Sequence, residues 1–335
     1  MIRNSEGRLR RAAAAMNRGS GSQHIIGHWF NRTIIPNRYL LLMFLPGLCY
    51  FVIFHYLPMA GIVVGFKDYS PYLGLANSPW VGLKHFAEFF GGPYAWRLIR
   101  NTLLLNIYTL LFGFPAPIIL ALLLNELPFK WFKRSVQTVT YFPYFLSMAI
   151  VAGLVVQLFS LKGVINLALT AIFGTEPVHF LMEAAAFRPI YVLTNIWKSM
   201  GFGAIIYLAA ITGIEPTLYE AAVIDGASRW QRARHVTLPG IAPTVIILFL
   251  LNLGHILEVG IELVLLLYNP LTYSTADVIG TFVYRRGIAG IMTGIKTAPN
   301  LSLGAAVGLF QSAVGLVLIV VANAVAKRVG ETSLW

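Results

Sequence analysis

The sequence predicts an all-α membrane protein with six transmembrane helices. Hydrophobic residues make up 57% of its 335 residues and charged residues 11%, a composition that argues against a soluble globular domain. Six stretches are apolar enough to cross a bilayer, which takes about 20 residues. They are residues 39–60, 101–124, 137–160, 189–211, 240–266 and 301–323. Six crossings place both chain ends on the same side.

The distribution of basic residues orients this bundle, because short cytoplasmic loops carry an excess of Lys and Arg. The larger share of the basic residues falls in the tail 1–38, the turn 125–135, the gap 216–239 and the C-terminal end. We therefore expect these segments, and both termini, to be cytoplasmic. Residues 1–38 should lie against anionic lipid headgroups or remain disordered, and residues 39–335 should form one membrane domain.

The net charge of +12 does not indicate a nucleic-acid partner. The basic residues are divided among short loops, so they form no continuous basic face. The single Cys49 allows no internal disulfide. The patterns HExxH, CxxC and GxSxG do not occur, so the sequence predicts neither a metal site nor a catalytic residue.

The most informative segment lies in the polar gap between the fourth and fifth spans. It contains EAAVIDG at 220–226 and VTLP at 236–239. Pro216 suits the first turn of a helix, and Gly226 can stop it, because glycine adopts the left-handed backbone without steric cost. Ser228 can cap a second helix, which we expect to end before Pro239. The segment therefore predicts two short helices joined by a fixed bend.

The spacing of EAA, Gly and LP in this segment resembles the permease signature of ABC importers, with Val236 where isoleucine is commoner. Residues 267–288 and the ending at 326–335 resemble the oligosaccharide and polysaccharide-fragment branch of the sugar permeases. The resemblance covers residues 39–335. It implies the six-helix transmembrane bundle of a type I ABC importer permease, in the bacterial cytoplasmic (inner) membrane, with the helix pair as its coupling loop.

The resemblance also implies partners. The residues that would dock on a separate ATPase are Glu220, Ala221, Ala222, Asp225, Gly226, Leu238 and Pro239. The family's assembly implies two ATPase subunits that bind ATP and Mg²⁺, a second permease that is related but different, and an external solute-binding protein. This chain lacks the phosphate-cradling loop GxxxxGK[ST], so we expect a non-catalytic subunit without a cofactor. The alternative is an ordinary polar loop whose arginines only anchor the topology.

Four polar side chains recur along the predicted fifth span. They are Asn252, His255, Glu258 and Glu262. On a helix with about 100° per residue they fall within an arc of about 120°. A carboxylate costs about 2.5 to 3.5 kcal/mol at the bilayer centre, so this face should meet protein or a water-filled cavity. We predict that it lines the sugar path. The alternatives are a buried network that holds helices together, or Glu262 reaching the outer interface. Further candidates for the path are Asn106, Lys198 and Gln311.

The predicted function is that of the transmembrane subunit of an ATP-driven importer, which receives an oligosaccharide from its binding protein and moves it by alternating access. An acidic sugar such as an alginate or polygalacturonate fragment is one candidate, although two carboxylates in the path argue against an anion unless Lys198 or partner charges offset them. One alternative is an ion-coupled carrier or channel in which His255, Glu258 and Glu262 handle protons. An intramembrane enzyme using His255 and Glu258 has the least support.

Overall fold

The structure, a computed structural model, describes residues 37–289 and 300–329. The predicted tail 1–38 therefore lies almost wholly outside the described residues. The chain divides into two compact units, one ending at Val63 and one beginning at Val64. The two units are described separately below.

The first unit contains the first long apolar helix. Helix α1 spans Arg38–Phe51 and continues through a π turn at Val52–Tyr56 into the short helix Leu57–Met59. Pro58 has no N–H to donate, and its ring crowds the preceding turn. The wide turn directly before Pro58 relieves this crowding, so the helical run continues across the proline.

The second unit contains the other long apolar helices. In chain order its helices are α2 Lys84–Gly91, α3 Ala95–Tyr108, α4 Pro115–Asn125, α5 Lys130–Tyr141, α6 Met148–Phe159, α7 Val164–Phe173, α8 Ala184–Thr212, α9 Pro216–Ile224, α10 Arg229–Arg232, α11 Leu238–Gly254, α12 Ile261–Leu267 and α13 Leu301–Val329. Shorter helical segments of this unit lie at Gly74–Asn77, Phe142–Phe145, Pro270–Thr272, Tyr273–Ala276 and Ile279–Val283, and π turns at Thr109–Gly113, Ala233–Thr237 and Tyr284–Ala289. The 3₁₀ segment Ala60–Phe66 includes the last residues of the first unit and the first residues of the second.

Six helical runs in the described residues are long and apolar enough to cross a membrane. They are Arg38–Phe66, Ala95–Asn125, Met148–Phe173, Ala184–Thr212, Arg229–Gly254 and Leu301–Arg328. The predicted fold class, an all-α membrane protein with six spans, is confirmed.

The third span begins later than the predicted 137–160. Helix α5 ends at Tyr141, the 3₁₀ turn Phe142–Phe145 follows, and α6 begins at Met148. Pro143 has no N–H to donate to the preceding turn, so the α-helix gives way to a 3₁₀ turn here, and the extended backbone of Leu146 then ends the helical run. The apolar run then continues through α6 and α7.

The fifth span is broken, whereas the sequence predicts one helix over 240–266. Helix α11 ends at Gly254 and α12 begins seven residues later. The Gln311 Nε2 of α13 donates to the Leu257 carbonyl at 2.7 Å. Gly315, also on α13, lies so close that a Cβ added to it would overlap the Gly254 carbonyl. Gln311 therefore satisfies a carbonyl that a continuous helix would bond internally, and Gly315 lets α13 pack directly against the end of α11, so both contacts stabilise the break.

This break makes the prediction of one polar helix face wrong. Asn252 lies in the last turn of α11, His255 follows that helix, Glu258 lies in the segment between α11 and α12, and Glu262 lies in the first turn of α12. The four residues therefore do not share a helical surface.

Helix α8 is the central element of the second unit. Near its beginning Phe187 and Ile190 join an apolar cluster with residues of α3, α6 and α12, and near its end Ala204 and Ile211 join another with α4 and α11. Between these clusters Gly201 lies against the Thr140 carbonyl at the end of α5, where a Cβ would overlap that carbonyl. Glycine at this position therefore sets the distance between α8 and α5.

We expect Gly201→Ala to destabilise the protein by about 1 to 3 kcal/mol, because the added methyl group forces α5 and α8 apart. Thermal unfolding in detergent should show a lower midpoint. Gly153→Ala is the matched control: Gly153 lies inside α6 with no atom within 4 Å of an added Cβ, and alanine is the better helix former. Equal unfolding midpoints for the two variants would contradict this account of the contact.

Candidate functional site

A cavity of about 420 Å³ opens between α3, α4, α8 and α11. We refer to it as the polar cavity. Its polar lining residues are Asn106, Thr109, Tyr191, Asn195, Ser199, Tyr207, Asn252, His255 and Glu258. Apolar side chains, including Phe114 and Leu248, form the rest of the wall. The combination of apolar walls and several convergent polar groups is typical of a small-molecule site.

Three asparagines of the polar cavity have the same local geometry. Each side-chain Nδ2 donates to the carbonyl four residues earlier: Asn106 to Thr102 at 3.1 Å, Asn195 to Tyr191 at 2.9 Å and Asn252 to Leu248 at 2.8 Å. Each amide is thereby held by its own helix, and its oxygen remains as an acceptor. A wall that presents amide oxygens suits a ligand with many hydroxyl donors.

The break in the fifth span brings His255 and Glu258 together. The Glu258 N–H donates to the His255 carbonyl at 2.8 Å, and this turn places His255 Nδ1 at 2.9 Å from Glu258 Oε2. The two side chains are 69% and 59% exposed, so they border the open part of the cavity. An exposed ion pair contributes at most about 1 kcal/mol to the stability of the fold. The His255–Glu258 pair therefore stabilises the fold little, but both side chains are accessible to a ligand in the cavity.

The structure brings four of the seven predicted path residues into the polar cavity. They are Asn106, Asn252, His255 and Glu258. It places the other three, Lys198, Glu262 and Gln311, outside the lining. Lys198 Nζ donates to the carbonyls of Tyr144 and Leu146, at 3.0 and 2.8 Å, and so fixes the turn between α5 and α6. Gln311 supports the break in the fifth span, as described above.

The prediction from the sequence missed three lining residues of α8, Tyr191, Ser199 and Tyr207. A signal for them existed, since Tyr191, Asn195 and Ser199 recur at intervals of four. In a helix such residues share one face. The signal was weak because Thr194 and Lys198, next to Asn195 and Ser199, place polar groups on other faces of the same helix.

The loop between α8 and α11 contains the bend predicted from its glycine. Gly226 has φ +75°, its N–H bonds the Val223 carbonyl at 3.0 Å, and the Ala227 N–H bonds the Ala222 carbonyl at 2.9 Å. These two hydrogen bonds form a Schellman motif, which ends α9. Ser228 and Gln231 form a capping box that begins α10. The predicted pair of helices joined at Gly226 is confirmed.

The second helix of this pair does not end before Pro239, so that prediction is wrong. It runs through the π turn Ala233–Thr237 into α11. The Leu238 N–H bonds the Ala233 carbonyl, five residues earlier. A wide turn gives the proline ring the room that a regular α-helix lacks. The loop is therefore continuous with a helix that lines the polar cavity.

Two side-chain contacts tie the loop to the ends of the membrane helices. The Tyr219 hydroxyl lies 3.0 Å from Oγ1 of Thr237, a buried residue at the base of α11. Arg232 Nη2 lies 3.9 Å from Oε2 of Glu126, the residue that follows α4. A movement of α9 or α10 would therefore act on both helices.

The loop has an exposed apolar surface. Ile224 is 86% exposed and Trp230 72%, and Leu218 and Val223 are also exposed. The predicted coupling residues Glu220, Ala221, Asp225, Gly226, Leu238 and Pro239 are exposed, and Ala222 is partly buried. Large apolar side chains grouped on a protruding surface indicate a protein interface.

At the other end of α8 an ion cluster surrounds Asp277, which is 1% exposed. Arg97 Nη2 and Arg285 Nη2 donate to its two oxygens at 3.1 and 2.7 Å. Burial disfavours the charge of Arg285, but contacts with Tyr268 and Asp277 raise the pKa of its guanidinium. This cluster joins the start of α3 to the segment that follows α12.

Six apolar helical runs, a polar cavity and a helix pair continuous with one wall of that cavity define a membrane permease. Residues 99–331 match the protein family described as "Binding-protein-dependent transport system inner membrane component". The chain belongs to this family, as a sugar permease of the ABC importers. It is a multi-pass inner-membrane protein. Membership of this family does not favour either alternative function considered from the sequence, an ion-coupled carrier or an intramembrane enzyme.

This chain is similar to several known proteins over most of its length and of theirs. The polygalacturonan/rhamnogalacturonan transport system permease protein YteP of Bacillus subtilis (strain 168) is 45% identical over 90% of this chain and 92% of its own. Protein LplB of the same organism is 46% identical over 89% and 92%. The crystal structure of a bacterial alginate ABC transporter, in complex with an alginate pentasaccharide-bound periplasmic protein, contains a chain that matches with a TM-score of 0.80 and 44% identity, over 91% of this chain and 99% of that chain.

Proposed function

We propose that this permease imports acidic oligosaccharides by alternating access, driven by ATP hydrolysis on partner subunits. The observation that carries the proposal is the continuous helical run from the coupling loop, through α10 and α11, to the wall of the polar cavity. A partner that moves α9 and α10 would therefore move one side of the cavity.

The exposed apolar surface of α9 and α10 supports docking on one of two ATPase subunits, which would bind ATP and Mg²⁺. In this arrangement the loop and both chain termini are cytoplasmic. The polar cavity is an open cleft, and a second permease, related but different, would complete its wall. An external solute-binding protein would deliver the sugar at the opposite end, where the Asp277 cluster lies. The alginate transporter that matches this chain is described with such a periplasmic protein.

The cavity chemistry supports a hydroxyl-rich oligosaccharide as the solute and permits an acidic one. The amide oxygens of Asn106, Asn195 and Asn252 can accept hydrogen bonds from sugar hydroxyls. Of the two carboxylates predicted for the path, Glu262 lies outside the lining and Glu258 is engaged by His255. Repulsion of an anionic sugar is therefore smaller than the sequence suggests. The relative YteP is named for polygalacturonan and rhamnogalacturonan, whose sugars include uronates.

Uptake of an oligogalacturonate into proteoliposomes that contain the complete transporter tests this proposal. We expect uptake only when ATP is inside the vesicles and the solute-binding protein is outside. A neutral oligosaccharide of the same length should be taken up at least tenfold more slowly. ATP-dependent uptake of the neutral sugar alone would contradict the acidic substrate. Uptake by the purified chain under an ion gradient, without ATP, would contradict the whole mechanism.

A further inference from the structure

Two guanidinium groups near the start of α8 share one amide oxygen. Arg188 Nη2 donates to Asn101 Oδ1 at 2.9 Å, and Arg100 Nη2 reaches the same oxygen at 3.4 Å. Asn101 is fully buried, and its Nδ2 bonds the carbonyls of Ser274 and Asp277 at 3.1 and 3.0 Å. Arg100 is exposed and its Nη2 also donates to the Ser274 carbonyl at 3.1 Å, so water screens part, but not all, of the repulsion between the two like charges. An anion between them would relieve the repulsion.

The neighbouring carboxylate does not serve as that anion. Asp277 is engaged by Arg97 and Arg285. Within the described part of the chain, neither Arg100 nor Arg188 forms an ion pair, and Arg188 Nε makes no hydrogen bond although it is buried. The Arg100–Arg188 pair therefore has donors available for a ligand.

An apolar groove of about 660 Å³ extends from Arg188 along α3 and α8. Its walls are formed mainly by Tyr108, Phe112, Pro189, Val192, Leu193 and Ile196. Phe112 and Leu193 are exposed. The apolar groove differs from the polar cavity, because it offers a hydrocarbon chain a long contact surface but offers a sugar few hydrogen-bond partners. Its chemistry fits an amphiphile with an anionic head.

The length of α8 places Arg188 at the depth of lipid headgroups. The helix has 29 residues and is therefore about 43 Å long, against a hydrocarbon core of about 30 Å. If the excess is shared by both ends, about four residues extend beyond the core at each end. Arg188 is the fifth residue of α8, so its guanidinium reaches the interface while the groove below it lies in the acyl region.

We propose that the apolar groove and the Arg100–Arg188 pair bind one anionic phospholipid. The phosphate accepts hydrogen bonds from both guanidinium groups, which match phosphate geometry better than an ammonium group does. One acyl chain lies along Phe112 and Leu193. This binding site adjoins the polar cavity, with which it shares Ile196, but it does not depend on which sugar is transported.

Native mass spectrometry of the complete transporter, released from micelles with equal amounts of phosphatidylglycerol and phosphatidylcholine, tests this site. We expect retained phosphatidylglycerol to exceed phosphatidylcholine at least fivefold, and Arg188→Gln to abolish that preference. Arg286→Gln is the matched control, since Arg286 is an exposed arginine in the same outer region and removing it subtracts the same charge. It should retain the preference.

A second variant covers the possibility that Arg188→Gln disturbs the fold. Ala185→Phe fills the groove and leaves both arginines in place, and we expect it to lower lipid retention at least fivefold. Equal retention of the two lipids by the unaltered transporter would overturn the proposal. So would displacement of phosphatidylglycerol by oligogalacturonate, or efficient cross-linking of Leu193→Cys to the second permease, because either result would assign the groove another occupant.

Discussion

Replacing Gly226 by valine should abolish transport and weaken the association of the ATPase subunits about five- to thirtyfold. Gly226 has φ +75°, and a side chain in this left-handed conformation costs about 1 to 2 kcal/mol, which corresponds to that factor. To relieve the strain the backbone must leave the Schellman geometry, and α9 then turns away from α10. Co-purification of the ATPase with the tagged permease measures the effect.

Gly174→Val is the matched control for this experiment. Gly174 ends α7 with φ +64°, and, as at Gly226, no atom lies within 4 Å of an added Cβ. The backbone strain is therefore comparable, but the two glycines lie beyond opposite ends of α8. We expect Gly174→Val to retain ATPase association. If both variants lost it equally, general instability would explain the result and the coupling role of the bend would be rejected.

Replacing Glu258 by leucine should lower the uptake rate at least tenfold while the amount of assembled transporter stays unchanged. The substitution removes the acceptor of His255 and a polar group at the cavity wall. A hydrogen bond between the sugar and the charged Glu258 carboxylate would be worth about 1.5 to 3 kcal/mol. Its loss would therefore lower the uptake rate about ten- to a hundredfold. The fold should tolerate the change because the side chain is exposed.

Glu262→Leu provides the comparison, since Glu262 carries the same charge four residues away but does not line the polar cavity. We expect uptake by this variant to remain within about twofold of the unaltered transporter. Normal uptake by Glu258→Leu would exclude a direct role of that carboxylate. Loss of uptake in both variants would indicate that charge in this region matters rather than contact with the sugar.

The bend and the helix cap in the loop between α8 and α11 could be predicted because each depends only on residues close by in the sequence. The left-handed residue at Gly226 and the capping box of Ser228 depend on neighbours within a few residues. Sequence alone therefore contains the information for the bend. The continuation past Pro239 was missed because a π turn upstream accommodates the ring, and no residue pattern within the turn marks it.

The break in the fifth span has a distant cause, so no local pattern predicts it. Gln311 and Gly315 act on the end of α11 from a helix more than fifty residues later in the chain. His255 and Glu258 reach the polar cavity nevertheless, but through a turn after Gly254 rather than through a shared helix face. The prediction of a shared helix face thus named three residues that line the cavity, Asn252, His255 and Glu258, on an incorrect geometric ground.

The π turn at the base of α11 is a point about which the whole helix could tilt as one rigid arm. From Leu238 to Gly254 the arm has 17 residues and measures about 25 Å. A tilt of about 10° at this turn would displace the far end of the helix, next to His255, by about 4 Å. This displacement exceeds the width of a water molecule. A small movement of α10 could therefore widen or narrow the polar cavity without unwinding any helix.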